Sequence, residues 1–434
     1  MNDPAHILET KKLATRLRSL ALAAWSIVAA FGTYFCMYGY RKPFTVGTYT
    51  DVALWGIGYK TVLVTSQVLG YMVSKFIGIK VIAEMRPEQR AVGILVLIGV
   101  AQTSLLLFGL VPPPWNFIPL FLNGIPLGMV FGLVIGFLEG RRHTEALVAG
   151  LCASFILADG VAKSVGAELL KGGVGEYWMP FCAGLVFAVP LLVFVWMLTK
   201  IPPPSAEDVA FRSERLPMTG VERWDFFKRY APGLTALVLA YLLITILRSI
   251  RADFAPEIWK GLGVKNPPEI YTQSETLVML GVVLINGSCF VFLDNRKAFF
   301  MALAISIGGL VLVGIASISL WAGLNGFVFM VLVGLGLYIP YVAVHTTIFE
   351  RLIALSRDRA NVGYLMYLVD AFGYLGYVAV MLAREVVGKG GNMFAFFRDI
   401  CLGSAVIGGL LFGSCWIYFA IRRQETVALE PAVA

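Results

Sequence analysis

Arg41 and Lys42 stand side by side at the end of a long apolar stretch, "TYFCMYGYRKPF", and Arg248 and Arg251 sit three apart in another, "YLLITILRSIR". A charge in or beside hydrocarbon is costly and is kept where it pairs or binds. A guanidinium is always ionised and offers a planar fork of donors, so the chemistry open to it is the grip of an oxyanion. The spacing makes Arg41 and Arg248 a pair, because a tyrosine lies seven positions before each (Tyr34 and Tyr241). Two such forks can close on a dianion from opposite sides. The competing reading of Arg41 and Lys42 is a helix end whose cations snorkel to the interface. Adjacent helix positions point about 100° apart, so Lys42 does not share Arg41's direction. Arg251 shares a helix face with Arg248, and Asp253 is the expected partner of either cation.

Other ionisable residues interrupt apolar runs. Asp159 and Lys163 have the i, i+4 spacing of a helical ion pair. Two readings stay open for them: a neutral structural pair, or a cavity-facing pair that opens for a solute or a proton. Asp370 falls near the middle of its run, where a carboxylate either pairs with a cation or carries protons. Lys75 and Glu275 pose the same question. His345 is one of three histidines and lies well inside an apolar run, so it is either a hydrogen-bonded core residue or a proton or ligand group. Tyr34, Tyr38, Tyr241, Tyr338 and Tyr341 can supply hydroxyl donors to a cavity. The chain has no Walker A, GxSxG or HExxH sequence and no metal-spaced cluster, which argues against an enzyme, a metal site and a cofactor. Its six cysteines form no CxxC or Cys/His set and read as small buried residues.

The elements that hold these residues follow from composition. Of 434 residues 58% are hydrophobic and 14% charged, and the mean hydropathy is +0.79. Soluble domains carry about 25% charged residues, so the lipid bilayer must be the solvent. At ~20 apolar residues per crossing the chain holds about twelve spans. They fall as six, then a polar stretch, then six: an N-terminal half 1–199, a linker 200–231 and a C-terminal half 232–434. "IPPP" ends the sixth run, and "VERWDFFKRY" reads as a short amphipathic piece at the membrane surface. Cations gather in alternate loops, which places both termini and the linker in the cytoplasm. The net charge of +8 is then a topology signal rather than a nucleic-acid footprint. The halves echo each other: "EMR" at 84–86 matches "DNR" at 294–296, and "EGRR" at 139–142 matches "ERL" at 350–352, at offsets close to that of the two arginines. Glycines in "NGIPLGMVFGLVIG" and "VGLGLY" allow close helix contact.

Together these stretches resemble the major facilitator superfamily, and within it the organophosphate:phosphate antiporters. "FGTYFCMYGYRKPF" resembles that branch's first helix, "GYMVSKFIGIKVIAE" its second, "ITILRSIRADFAPEIWKGLG" its seventh, and "GLGLYIPYVAVH" with "FGYLGY" its tenth and eleventh. The resemblance implies an all-α membrane fold of twelve transmembrane helices in two pseudo-symmetric six-helix halves. It also implies that Arg41 and Arg248 grip the substrate's phosphate. The loops at "EGRR" and "DNRK" resemble degenerate forms of the superfamily's cytoplasmic gate motif. The chain departs from the branch at three positions: Phe155 or a neighbour stands where a fifth-helix histidine is expected, Asp370 replaces a small or apolar residue, and Pro43 follows the Arg-Lys pair. The expectation is a monomeric multi-pass carrier of the inner membrane for a small anionic solute, coupled to phosphate or to protons. The alternatives are a proton-coupled symporter of another organic solute and a transporter-like solute sensor.

Overall fold

The computed structural model describes residues 4–50, 52–138, 144–203, 220–265, 267–289, 292, 294–356, 362–388 and 392–429. Twelve long helices run through them. The first six are α1 (Pro4–Tyr38), α2 (Tyr59–Glu84), α3 (Arg90–Leu110), α4 (Phe117–Leu138), α5 (Thr144–Lys171) and α6 (Met179–Thr199). The next six are α7 (Gly220–Asp253), α8 (Glu269–Ser288), α9 (Asn295–Trp321), α10 (Gly326–Ala343), α11 (Val362–Gly388) and α12 (Met393–Leu429). In lipid every backbone donor and acceptor must be met within its own segment, which leaves the helix as the form such apolar runs can take.

Nine of the described helices are long and apolar enough to cross a membrane. The other three long helices, α2, α8 and α11, are more polar for a reason visible in the packing. Their buried faces carry Lys60 and Lys75, Glu275, and Asp370. α2 packs on α11 and α5 on α8, joining the first six helices to the last six. By contrast, α3, α6, α9 and α12 turn Val96, Val189, Ile315 and Leu410 outward as lipid-facing surface.

Local chemistry sets several helix ends. Asp294 accepts the Lys297 N–H at 2.8 Å and caps α9, and Asn325 accepts the Phe327 and Val328 N–H groups and caps α10. α7 breaks at Tyr230, whose φ of −115° and ψ of 16° leave the helical region two residues before Pro232. The piece before this break contains the amphipathic sequence "ERWDFFKR", with Phe226 buried and Trp224 exposed. α10 runs into a π-helical turn, Val344–Ile348, before continuing as Phe349–Ser356.

α1 ends at Tyr38, and a turn closes on it through the Arg41 and Lys42 N–H groups, which both donate to Tyr38 O. Pro43–Val46 then forms a 3-10 turn. Beyond it, Ala53–Leu54 (β1) and Ile57–Gly58 (β2) pair as a hairpin. Its two-residue turn has positive φ at Trp55 (55°) and Gly56 (76°), the twist that suits a tight hairpin. Glu176 fastens this region by accepting from Thr48 N, Thr48 Oγ1 and Tyr49 N, each at 2.9 Å. The six cysteines are all free thiols.

Candidate functional site

The turn after α1 brings Arg41 and Lys42 inward, each 6% exposed. It is held from below by amides. Gln67 of α2 donates to Arg41 O at 3.1 Å and to Asn123 Oδ1 at 2.8 Å, and Asn123 of α4 donates to Ala101 O and Tyr40 O. α2 reaches α4 closely enough for this because a Cβ on Gly124 would lie 2.2 Å from Gln67 O, and one on Gly70 would lie 2.0 Å from Phe121 O. Gln67 and Asn123 carry no signal in the sequence; their role exists only where α2 and α4 cross.

The Arg41 guanidinium lies over the Tyr71 ring, 4.0 Å from its centroid, with the Tyr38 ring at 5.7 Å. Arg248, also 6% exposed, lies over Tyr341 at 4.3 Å, with Tyr338 at 5.8 Å. Tyr374 of α11 is within electrostatic range of both guanidiniums. Neither arginine forms an ion pair with a described residue, and Arg248 Nε is buried without a hydrogen-bond partner. A guanidinium on an aromatic face gains about 0.5–2 kcal/mol and keeps its edge donors free.

The other buried charges are matched. Lys42 bonds Asp253 across the two sets of six helices and lies 3.6 Å from Asp159. Asp253 also accepts from Tyr377 at 2.9 Å. Lys163 meets Asp159 at 2.5 Å. Arg251 meets Glu275 at 2.7 Å and donates to Met330 O. Asp253 therefore serves Lys42, not Arg248 or Arg251. Residues two apart on a helix point to opposite sides, so Asp253 turns away from Arg251 and toward the turn after α1.

A second cluster lies around Asp370. Its Oδ1 accepts from the Tyr241 hydroxyl at 2.5 Å and faces His345 Nε2 at 3.5 Å, while Oδ2 meets Lys75 Nζ at 3.3 Å. His345 sits on the π turn, with Nδ1 2.9 Å from Tyr341 O. Such widened turns recur at functional sites because they re-aim a side chain within a helix. Tyr34 lies edge-on to Tyr38 and Phe131. Phe155 of α5 packs on Tyr338 and Tyr341, at 6.2 and 5.7 Å between ring centroids. The sequence does not single out Tyr71, Tyr374 or Tyr377, because a tyrosine in a span reads equally well as an interfacial anchor.

Among the described residues no group of three or more His, Cys, Asp or Glu side chains is placed to hold a metal ion. The "EGRR" stretch lies outside the described residues. In the matching second-half stretch, on the helical segment Phe349–Ser356, Arg351 donates to Asn295 Oδ1 at 2.5 Å.

Twelve long helices in two packed sets, with charged helices at their junction, define the major facilitator fold, and solved structures agree. The chain is similar to the nucleoside transporter NupG (TM-score 0.60, 15% identity, covering 92% of this chain and 99% of that one). It is also similar to a D-xylose-proton symporter (TM-score 0.57, 13% identity, 90% and 96% covered). The chain is thus a multi-pass membrane protein of that fold. Within it, the chain belongs to DUF5690, a family of unknown function whose model matches residues 43–422. Comparison with curated protein sequences finds no match.

Proposed function

We propose that the chain is a secondary transporter that moves a small anion by alternating access, with Arg41 and Arg248 gripping the anion between the halves 1–199 and 232–434. The observation that carries this reading is a charge imbalance. Among the described residues seven buried cations, Arg41, Lys42, Lys60, Lys75, Lys163, Arg248 and Arg251, stand against the four buried carboxylates Asp159, Asp253, Glu275 and Asp370; Lys60 is met by the half-buried Glu257, which leaves six against four. The excess of two coincides with the two arginines that have no carboxylate. Buried charges are paired unless their partner is supplied from elsewhere, and a doubly charged oxyanion, such as a phosphate monoester, supplies it. Tyr38, Tyr71, Tyr338, Tyr341 and Tyr374 surround the grip and add hydroxyl donors and ring faces. In this reading Lys42 and Arg251 hold the frame around the grip. The cation-rich loops put both termini and the linker 200–231 in the cytoplasm of an inner-membrane protein.

The test is uptake into proteoliposomes of labelled phosphate and a panel of phosphate monoesters and carboxylates. Arg41→Lys and Arg248→Lys keep the charge and lose the fork. Each is expected to lower uptake by roughly 10- to 100-fold, the equivalent of a lost charge-assisted hydrogen bond. Uptake that survives both substitutions sinks the two-arginine grip. Binding without flux makes the chain a solute sensor instead.

A further inference from the structure

We propose that Asp370 and His345 form a proton-binding site coupled to the anion site, so that this carrier takes up a proton together with its anion; the coupling rests on the anion reading above. The first argument is the direction of hydrogen bonds. Tyr341 O can only accept, so the His345 nitrogen beside it, Nδ1, carries the ring hydrogen. In a neutral imidazole Nε2 is then a bare acceptor. It faces Asp370 Oδ1, also an acceptor, at 3.5 Å. The Tyr241 hydroxyl gives its hydrogen to Asp370. The same hydroxyl lies 3.4 Å from His345 Nε2, but its single hydrogen goes to the shorter contact with Asp370, so the two acceptors share no hydrogen of their own, and one proton from the aqueous phase, on either atom, turns their 3.5 Å contact into a bond.

The second argument is position. Asp370 is faced by Lys75 and Tyr71 from α2, Cys152 from α5, Tyr241 from α7, and His345 and Tyr341 from the α10 segment and its π turn. Two of these rings are the platforms of the anion grip. Tyr71 carries Arg41 at 4.0 Å and has Lys75 Nζ 5.1 Å from its centroid. Tyr341 carries Arg248 at 4.3 Å and packs on the His345 ring at 4.6 Å. The proton site therefore stands one ring behind each arginine.

The consequence has a definite sign. A proton on the pair raises the excess positive charge of the core from two to three and releases Lys75 from its carboxylate. Both effects favour an anion at Arg41 and Arg248. By linkage the anion favours the proton equally. Proton and anion bind together, which is the thermodynamic condition for symport.

The test is calorimetric titration of the purified protein with sulfate, which stays a dianion between about pH 5 and pH 8, the range in which histidine switches. In the wild type the sulfate affinity is expected to rise with falling pH, by up to about tenfold per unit for one linked proton. Titration in buffers of different ionisation heat is expected to show proton uptake on binding. Asp370→Asn, fixed in the neutral form, is expected to bind sulfate at high pH as tightly as the wild type does at low pH, with no proton uptake. His345→Gln, which replaces the titratable ring nitrogen with an amide that cannot take up a proton, is expected to weaken the pH dependence. An affinity flat with pH in the wild type, or a pH dependence that persists in Asp370→Asn, overturns the proposal. Infrared difference spectra separate it from the reading beneath it. The pH-dependent signal of this pair should survive Arg41→Lys with Arg248→Lys, which abolishes sulfate binding, and vanish in Asp370→Asn. A wild type that binds no sulfate at any pH overturns the anion site and the coupling together.

Discussion

At the scale of single residues, Arg248 and Arg251 share a helix face and have opposite circumstances. Arg251 is bonded to Glu275, so Arg251→Met strands a buried carboxylate and is expected to cost about 3–5 kcal/mol of stability. Arg248 has no carboxylate partner among the described residues, so Arg248→Met is expected to leave stability unchanged or raise it while abolishing anion binding. Thermal unfolding of the two variants in the same detergent checks the contrast; equal losses would mean that Arg248 has a structural counter-ion. Gln67→Leu offers a gentler probe. It leaves Arg41 O and Asn123 Oδ1 without their donor, at about 1–3 kcal/mol for a buried unsatisfied group. Anion affinity should fall even though the substituted side chain is not in the grip, and Gln67→Glu, which keeps the shape but not the donor, should resemble it. The two arginines were legible in the sequence because charge is conspicuous in an apolar run and the tyrosine spacing repeats. Their surroundings were not. The spacing suggested Asp253 as the partner of Arg248 or Arg251, but the ion pair it makes reaches 211 positions back to Lys42. No local pattern encodes which helix end will arrive there.

At the scale of helices, length and hydropathy made the spans easy to read, since apolar runs bounded by loops can satisfy their backbone in lipid only as helices. The contacts between helices were legible in outline through their glycines. Gly124 and Gly70 set α4 against α2, and a Cβ on Gly336 would lie 2.5 Å from Gly309 O, setting α10 against α9. A methyl group at Gly124 meets backbone that cannot rotate away. Gly124→Ala is therefore expected to separate α2 from α4 and to lower both thermal stability and anion affinity, because the Gln67–Asn123 bridge spans that contact. A stable Gly124→Ala with wild-type affinity would mean that the two helices can part without disturbing the turn that holds Arg41. The π turn at Val344–Ile348 had no signature in the sequence. It is a local widening that tertiary packing selects, and it aims His345 at Asp370.

At the scale of the whole molecule, the two sets of helices are joined by side chains of unlike kind. Ser164 of α5 and Thr272 of α8 bring their hydroxyls to 2.7 Å, and Lys60 of α2 meets Glu257 at 2.6 Å. Both contacts lie toward the face opposite the termini. If the halves rock apart there, a disulfide between Ser164→Cys and Thr272→Cys, built without the six native cysteines, should form on oxidation and stop uptake. Reduction should restore it; full flux through the oxidised protein would show that these two helices do not separate. The charge imbalance of the core has a consequence of an electrical kind. On the anion and proton readings proposed above, the core loaded with a dianion and its proton keeps one net positive charge. Empty, it carries two uncompensated charges, and each is subject to work of about 2.3 kcal/mol per 100 mV of field it crosses. On those readings the return of the unloaded carrier feels the membrane potential more strongly than the passage of its cargo, and the potential biases which side the vacant grip faces at rest.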